Sequence, residues 1–190
     1  MRGRPVGGLG VRLARVVFPI AAAAIVLAGC DDDDEPFAPG LDVDAVVGFY
    51  DPATLTFDPL GSLPVVHIAE RLDPGVPPQL NLARDGTFQI VFRYLSTGRF
   101  EVIDGEFTTL PDGVRLEFGS EADAQRLLLP QRVELAFNAS TGSLSFVGEV
   151  DVPLDRLLEL APEFEDEQLR DPVRGELTMI FTRQEEDAGE

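Results

Sequence analysis

Apolar residues recur at every second position in five separate runs between residues 87 and 183. Successive side chains of a β-strand point to opposite faces, so this period predicts strands with one apolar face. Shorter runs at 46–50, 63–70 and 79–83 are weaker strand candidates. The residues assigned to the apolar faces are Phe88, Ile90, Phe92, Tyr94, Val114, Leu116, Phe118, Val133, Leu135, Phe137, Leu144, Phe146, Val150, Val152, Leu177, Met179 and Phe181.

Turn-forming residues separate these runs at hairpin spacing, at 85–86, 96–98, 111–113 and 138–142. Repeated short strands joined by tight turns are typical of antiparallel all-β folds. We therefore predict an all-β domain over residues 46–185, either an up-and-down β-barrel or a sandwich of about eight strands.

The alternation is interrupted in two regions. The apolar phase slips by one residue between Phe100 and Phe107, which predicts a bulge or tight turn at Asp104-Gly105. Residues 51–78 are rich in proline, and we expect them to form an irregular entry to the sheet.

One or two short helices are predicted between strands. Ser120 and Asp123 have the spacing of a capping box that would open a helix ending before Pro130. Pro153 is placed to start a second helix, which carries an apolar stripe.

The first 29 residues have the organisation of a signal peptide. Four arginines and no acid precede the apolar stretch 16–28. That stretch is shorter than the roughly 20 residues a helix needs to cross a bilayer, but it suits a signal peptide.

Acidic residues dominate the segment that follows. Asp31–Asp34 and Glu35 precede Pro36, and we interpret residues 30–45 as a flexible tether, because like charges repel and proline disfavours folding. A cation site is the alternative, but the spaced ligands of a calcium loop are missing. Residues 186–190 are predicted to be an acidic tail.

The composition limits the partners and the kinds of catalytic or metal site that are compatible with this chain. The formal net charge of −19 argues against a nucleic-acid partner, and a single cysteine excludes an internal disulfide. His67, the only histidine, could act as a base or zinc ligand, but a structural position on a strand is the simpler interpretation. The acids at 163, 165, 166, 167 and 171 suggest a solvated loop more than a hydrolase acid pair. We predict no catalytic residue, metal site or cofactor, and a protein that is not an enzyme.

The sequence Leu27-Ala28-Gly29-Cys30 resembles the lipobox of bacterial lipoproteins. The resemblance implies cleavage before Cys30, lipid on its sulfur and an acylated new amino terminus. It also implies a location in the bacterial cell envelope, anchored to the inner or the outer membrane and facing the periplasm.

Three segments resemble bacterial lipocalin-like domains, and together they span residues 46–183. They are Gly48-Phe49-Tyr50, the hairpin from Leu80 to Phe88 and Gly98-Arg99-Phe100. The resemblance implies a lipocalin-like barrel, in which Tyr50 or Phe100 replaces the family's usual tryptophan at the base.

The barrel interior is the candidate site. We expect a filled core with at most a shallow mouth, and an apolar pocket is the alternative. The protein is predicted to bind a small apolar ligand or an envelope partner, and a non-binding structural or assembly module is the competing hypothesis. The candidate lining residues are Tyr50, Phe88, Ile90, Phe92, Tyr94, Phe100, Phe118, Phe137, Phe146 and Phe181.

Overall fold

The structure is a computed structural model that describes residues 40–61 and 63–184. Its strands are β1 (Gly48–Pro59), β2 (Val66–His67), β3 (Gln79–Leu82), β4 (Thr87–Arg93), β5 (Phe100–Leu110), β6 (Gly113–Phe118), β7 (Arg132–Asn138), β8 (Ser143–Val152) and β9 (Val173–Arg183). Its helices are α1 (Val43–Val46), α2 (Glu121–Ala124) and α3 (Leu154–Leu160), with 3-10 turns at Ile68–Arg71, Gln125–Leu127 and Pro162–Phe164.

Eight strands form a closed up-and-down barrel. β1 and then β3 to β9 pair antiparallel in chain order, and the pairing of β9 with β1 closes the sheet. β2 adds a short extra strand on β1, where Phe57 faces Val66. The predicted all-β fold of about eight strands with short helices is confirmed, and the closure decides for the barrel over the sandwich.

β1 is much longer than the sequence pattern indicated. The expectation of irregular chain over all of 51–78 is wrong for residues 51–59, which pair with β9. The register shifts between Pro52 and Thr54, so one extra residue is inserted there. The inward positions of β1 are consequently even-numbered at Tyr50 and odd-numbered from Leu55 onward. Because the strand lacks strict alternation, the sequence pattern did not predict it.

β5 contains no bulge, contrary to the prediction for Asp104-Gly105. Its pairings with β4 and β6 are continuous through this segment. The inward residues are the odd-numbered ones, so Phe100 faces outward and Glu101 faces inward. A Cβ atom at Gly105 would lie 2.6 Å from the Phe88 ring, so the glycine gives this ring the space it needs.

Both predicted helices are present at the top of the barrel, the end with the long connections. The Ser120 hydroxyl accepts a hydrogen bond from the Asp123 N–H at 3.1 Å, as the capping box requires. Pro153 precedes α3, whose Leu157 and Leu160 are buried.

The base of the barrel, the end with the tight hairpins, is closed by α1. The Tyr50 hydroxyl donates to the Val46 carbonyl at 2.6 Å, and the Arg183 guanidinium lies 5.9 Å from the Tyr50 ring centre. Arg183 also donates to the carbonyls of Ala45 and Val47. Tyr50 therefore holds the start of the barrel against the end of β9.

The last part of the predicted tether is folded, since the Leu41 N–H donates a hydrogen bond to the Leu110 carbonyl and α1 begins at Val43. The predicted signal peptide, Cys30, the rest of the predicted tether and the predicted tail 186–190 lie outside the described residues. None of the helices in the part of the chain that is described has the length and apolar character needed to traverse a membrane.

Candidate functional site

Most of the predicted lining residues fill the barrel interior. A side chain with almost no accessible surface adjoins no space large enough for water, so this part of the interior is packed. The Phe88 and Phe118 rings meet edge to face at 5.1 Å, as do Phe92 and Tyr94 at 5.3 Å. The buried members of the set are Tyr50, Phe88, Ile90, Phe92, Tyr94, Phe118 and Phe181.

Phe100 does not belong to this interior set. Its side chain is 56% exposed on the outer face of β5, and the Arg93 guanidinium lies 5.6 Å from its ring centre. Of the two replacements suggested for a base aromatic, only Tyr50 lies at the base.

Glu101 occupies the inward position that alternation assigned to Phe100, and sequence reasoning missed it. It is 6% exposed and forms ion pairs with Arg126 and Arg99. Arg126 also binds Asp123 at 3.0 Å, so the carboxylate of Glu101 fixes the α2 segment over the top of the barrel. Only the phase of β5, which the sequence left ambiguous, could have revealed this residue.

A small pocket of about 210 Å³ lies beside this network at the top. Its lining includes Tyr94, Leu95, Glu159 and Leu160. Burial, followed by the nearby carboxylates of Glu159 and Glu101, raises the pKa of Tyr94 to about 12. The Tyr94 hydroxyl donates to the Arg126 carbonyl at 3.0 Å, so it serves the packing of the top as a neutral donor.

A wider groove of about 890 Å³ lies at the base, between α1 and the β3–β4 and β7–β8 hairpins. Arg84 in this groove pairs with Asp44 at 3.2 Å, and Phe49 is 50% exposed. Both the arginine and its acid are largely in solvent, so the ion pair adds little stability.

The ladder between β1 and β3 has only three paired positions, but β2 pairs with β1 beyond it, at Thr56 and Phe57. The ladder between β7 and β8 is equally short. These strands pair only from Asn138–Ser143 to Ala136–Ser145. β7 continues on β6 alone over 132–135, and β8 continues on β9 alone over 146–152. We call these two unpaired edges the β7–β8 opening.

The inward residues of β8 at this opening are only half-buried. Phe146 and Val150 pack against the core but keep accessible surface, unlike the inward residues of β4 and β9. A Cβ atom at Gly148 would lie 2.7 Å from Cζ of Phe146, so the ring lies over the glycine. Phe137, at the end of β7, is half-buried in the same way. This apolar surface is the candidate site.

The remaining chemical candidates lie apart from it. His67 is exposed on β2, opposite Thr56. Of the acidic group before β9, Glu163 pairs with Arg71, and Asp171 accepts from the N–H of Leu154 at 3.1 Å. In the part of the chain that the structure describes, no three His, Cys, Asp or Glu side chains are grouped to hold a metal ion.

No protein-family model matches this sequence, and a search of curated proteins finds no significant match. The function is therefore inferred from the chemistry and geometry of the chain itself.

Proposed function

We propose that this chain is a lipid-anchored lipoprotein of the bacterial cell envelope, with a lipocalin-like barrel that binds an apolar ligand or an envelope partner. Its contact surface is the β7–β8 opening. The observation that carries the proposal is the contrast between the packed interior and the half-exposed apolar residues of β8.

The anchoring half rests on the sequence. Cys30 follows an apolar stretch and a small-residue pair, as lipid attachment in lipoproteins requires. Acyl chains contribute about 0.8 kcal/mol for each buried methylene, so two or more chains hold a protein stably at a membrane. The strongly acidic chain is repelled by anionic headgroups, and the lipid has to provide the attachment.

The binding part of the proposal depends on the solvent accessibility of apolar side chains on β8. The Phe146 ring and the Val150 side chain are inward apolar groups of β8 that keep accessible surface. Covering such surface contributes about 25 cal/mol per Å². A hydrophobic side chain or an alkyl chain placed there would be shielded without any rearrangement of the packed interior.

Membrane fractionation of Cys30→Ser tests the anchor. We expect the variant to leave the membrane fraction or to keep its signal peptide, and Ser96→Ala, at an exposed loop, serves as the control. Unchanged detergent partitioning of a Cys30→Ser protein that has lost residues 1–29 would contradict the lipid assignment.

Titration with a fluorescent fatty acid tests the binding surface. Binding that is weakened about tenfold by Phe146→Asp, but not by Val102→Asp on the outer face of β5, supports the opening as the site. Equal binding by both variants would refute it.

A non-binding structural or assembly module is the second candidate, and the packed interior favours it. Cross-linking in native membranes distinguishes the two hypotheses. The structural role requires a stable protein neighbour together with no uptake of the fatty acid.

A further inference from the structure

The edge of β8 that faces the opening has no backbone partner among the described residues. Residues 146–152 bond only to β9, and no turn or loop bond reaches them. Alternate N–H and C=O groups of a strand point to opposite sides, so about half of these groups face the opening. Such an edge is a template for one more strand.

We propose that an extended segment of a partner protein adds to this edge as a strand. Its apolar side chains would lie toward Phe146 and Val150, and its basic side chains toward Glu149 and Asp151. This inference rests on the proposed function and specifies the class of partner that the opening binds.

A polypeptide fits the edge better than a hydrocarbon does. Only another backbone can bond to the free N–H and C=O groups of residues 146–152, whereas an alkyl chain would cover them without a partner. The period of two also matches, since Phe146 and Val150 face inward while Val147, Glu149 and Asp151 face outward.

The acidic side chains of β8 determine which charge the partner segment should carry. Glu149 and Asp151 are exposed on the outer face of β8. Glu149 is already paired with Arg174 at 3.1 Å, whereas Asp151 makes no ion pair within residues 40–61 and 63–184 and is the acid left for a partner. Like charges directly opposite each other on adjacent strands are destabilising, whereas opposite charges are favourable. A segment with basic residues at its outward positions is therefore the complementary one.

The same argument disfavours other occupants. The chain's own ends, 31–35 and 185–190, are rich in acid and contain no basic residue. A second copy that paired β8 with β8 would place Glu149 and Asp151 beside the same acids. A basic segment of a different protein avoids these repulsions.

The test uses the full-length chain and a peptide of four arginines alternating with three valines, blocked at both ends. Residue-level hydrogen exchange should show that the peptide slows the exchange of amides within 146–152. Amides of β4, on the closed side, serve as the internal control and should not change.

Two control peptides separate strand addition from simple attraction to an acidic protein. The first replaces every arginine with glutamate, and the second carries methyl groups on alternate backbone nitrogens. We expect neither peptide to protect β8. Equal protection by the methylated peptide, or protection spread over the whole barrel, would overturn the inference.

Charge reversal then locates the contact. Asp151→Arg should weaken binding of the arginine peptide about tenfold. The matched change Asp104→Arg, at an exposed position of β5, should leave the affinity for the peptide unchanged. Equal weakening by both variants would also overturn the inference. If the fatty acid binds and the peptide does not, only strand addition fails; if neither binds, the proposed binding function fails as well.

Discussion

The closed and the open sides of this barrel use the same kind of strand with different results. On the closed side, β4 is paired along its length with β5, and its inward residues Phe88, Ile90 and Phe92 are buried. On the open side, β8 has the same alternation, but Phe146 and Val150 stay half-exposed.

Both sides have apolar inward residues, but the two strands differ in how far they are paired with a neighbour. Where the ladder is continuous on both edges, adjacent strands lie about 4.8 Å apart and their side chains close over one another. Where β7 and β8 separate above Ala136 and Ser145, no neighbouring strand covers the inner face of β8. The facing edge of β7 behaves differently, because its inward residues Val133 and Leu135 are buried although they also lack a partner on that side. The partial exposure is therefore specific to β8.

The largest effect is expected on the closed side. Phe92 is 0% exposed and packs against Tyr94, so Phe92→Ala should destabilise the protein by about 3–5 kcal/mol. Urea denaturation measures the change. A loss below about 1 kcal/mol would mean that the interior is not packed around this ring.

The next effect concerns the top of the closed side. Arg126→Met leaves the buried Glu101 carboxylate with only the exposed Arg99, at a cost of about 2–3 kcal/mol. Adding Glu101→Leu should recover most of the loss, because the double variant contains no buried unpaired charge. Additive losses in the two variants would contradict the pairing.

The matched change on the open side should cost less. Phe146→Ala removes a half-buried ring, and we expect a loss of about 1–2 kcal/mol by the same urea measurement. If Phe146→Ala were as costly as Phe92→Ala, the two sides would be equally closed.

Alkaline pH tests the burial of the closed side by a different route. Folded Tyr94 keeps its proton until about pH 12, whereas an unfolded tyrosine loses it near 10.0. The folded state therefore binds more protons in this window, and stability should fall as the pH rises through it. Tyr94→Phe should reduce this slope in denaturation measured at several pH values; an unchanged slope would argue against a buried hydroxyl.

The smallest effect belongs to the outer face of the open side. Val147 is 62% exposed, so Val147→Thr should change stability by no more than about 0.5 kcal/mol. A larger loss would show that another part of the chain covers this strand.

Much of the fold was predictable because its signals are local. The alternation in β4, β7, β8 and β9 and the cap at Ser120 follow from side-chain geometry within a few residues. Two predictions were wrong because the change in inward-facing positions was placed in the wrong strand. It was expected in β5, but it occurs in β1. The alternation placed Phe100 in the interior, but Glu101 takes the inward position and pairs with Arg99 and Arg126.

The candidate site was only partly predictable. Phe146 and Phe137 were placed on the inward face, but the extent of pairing between β7 and β8 is a property of the whole barrel. One signal was present: Gly148 interrupts the apolar positions of β8, and a glycine inside a strand often marks a close approach or weak packing.

Residue-level hydrogen exchange of the free protein tests the open side most directly. Within residues 146–152, amides that face β9 should be protected, and the alternate amides that face the opening should exchange much faster. The amides of β4 should be protected on both edges. Uniform protection along 146–152 would contradict an open ladder and, with it, the proposed binding surface.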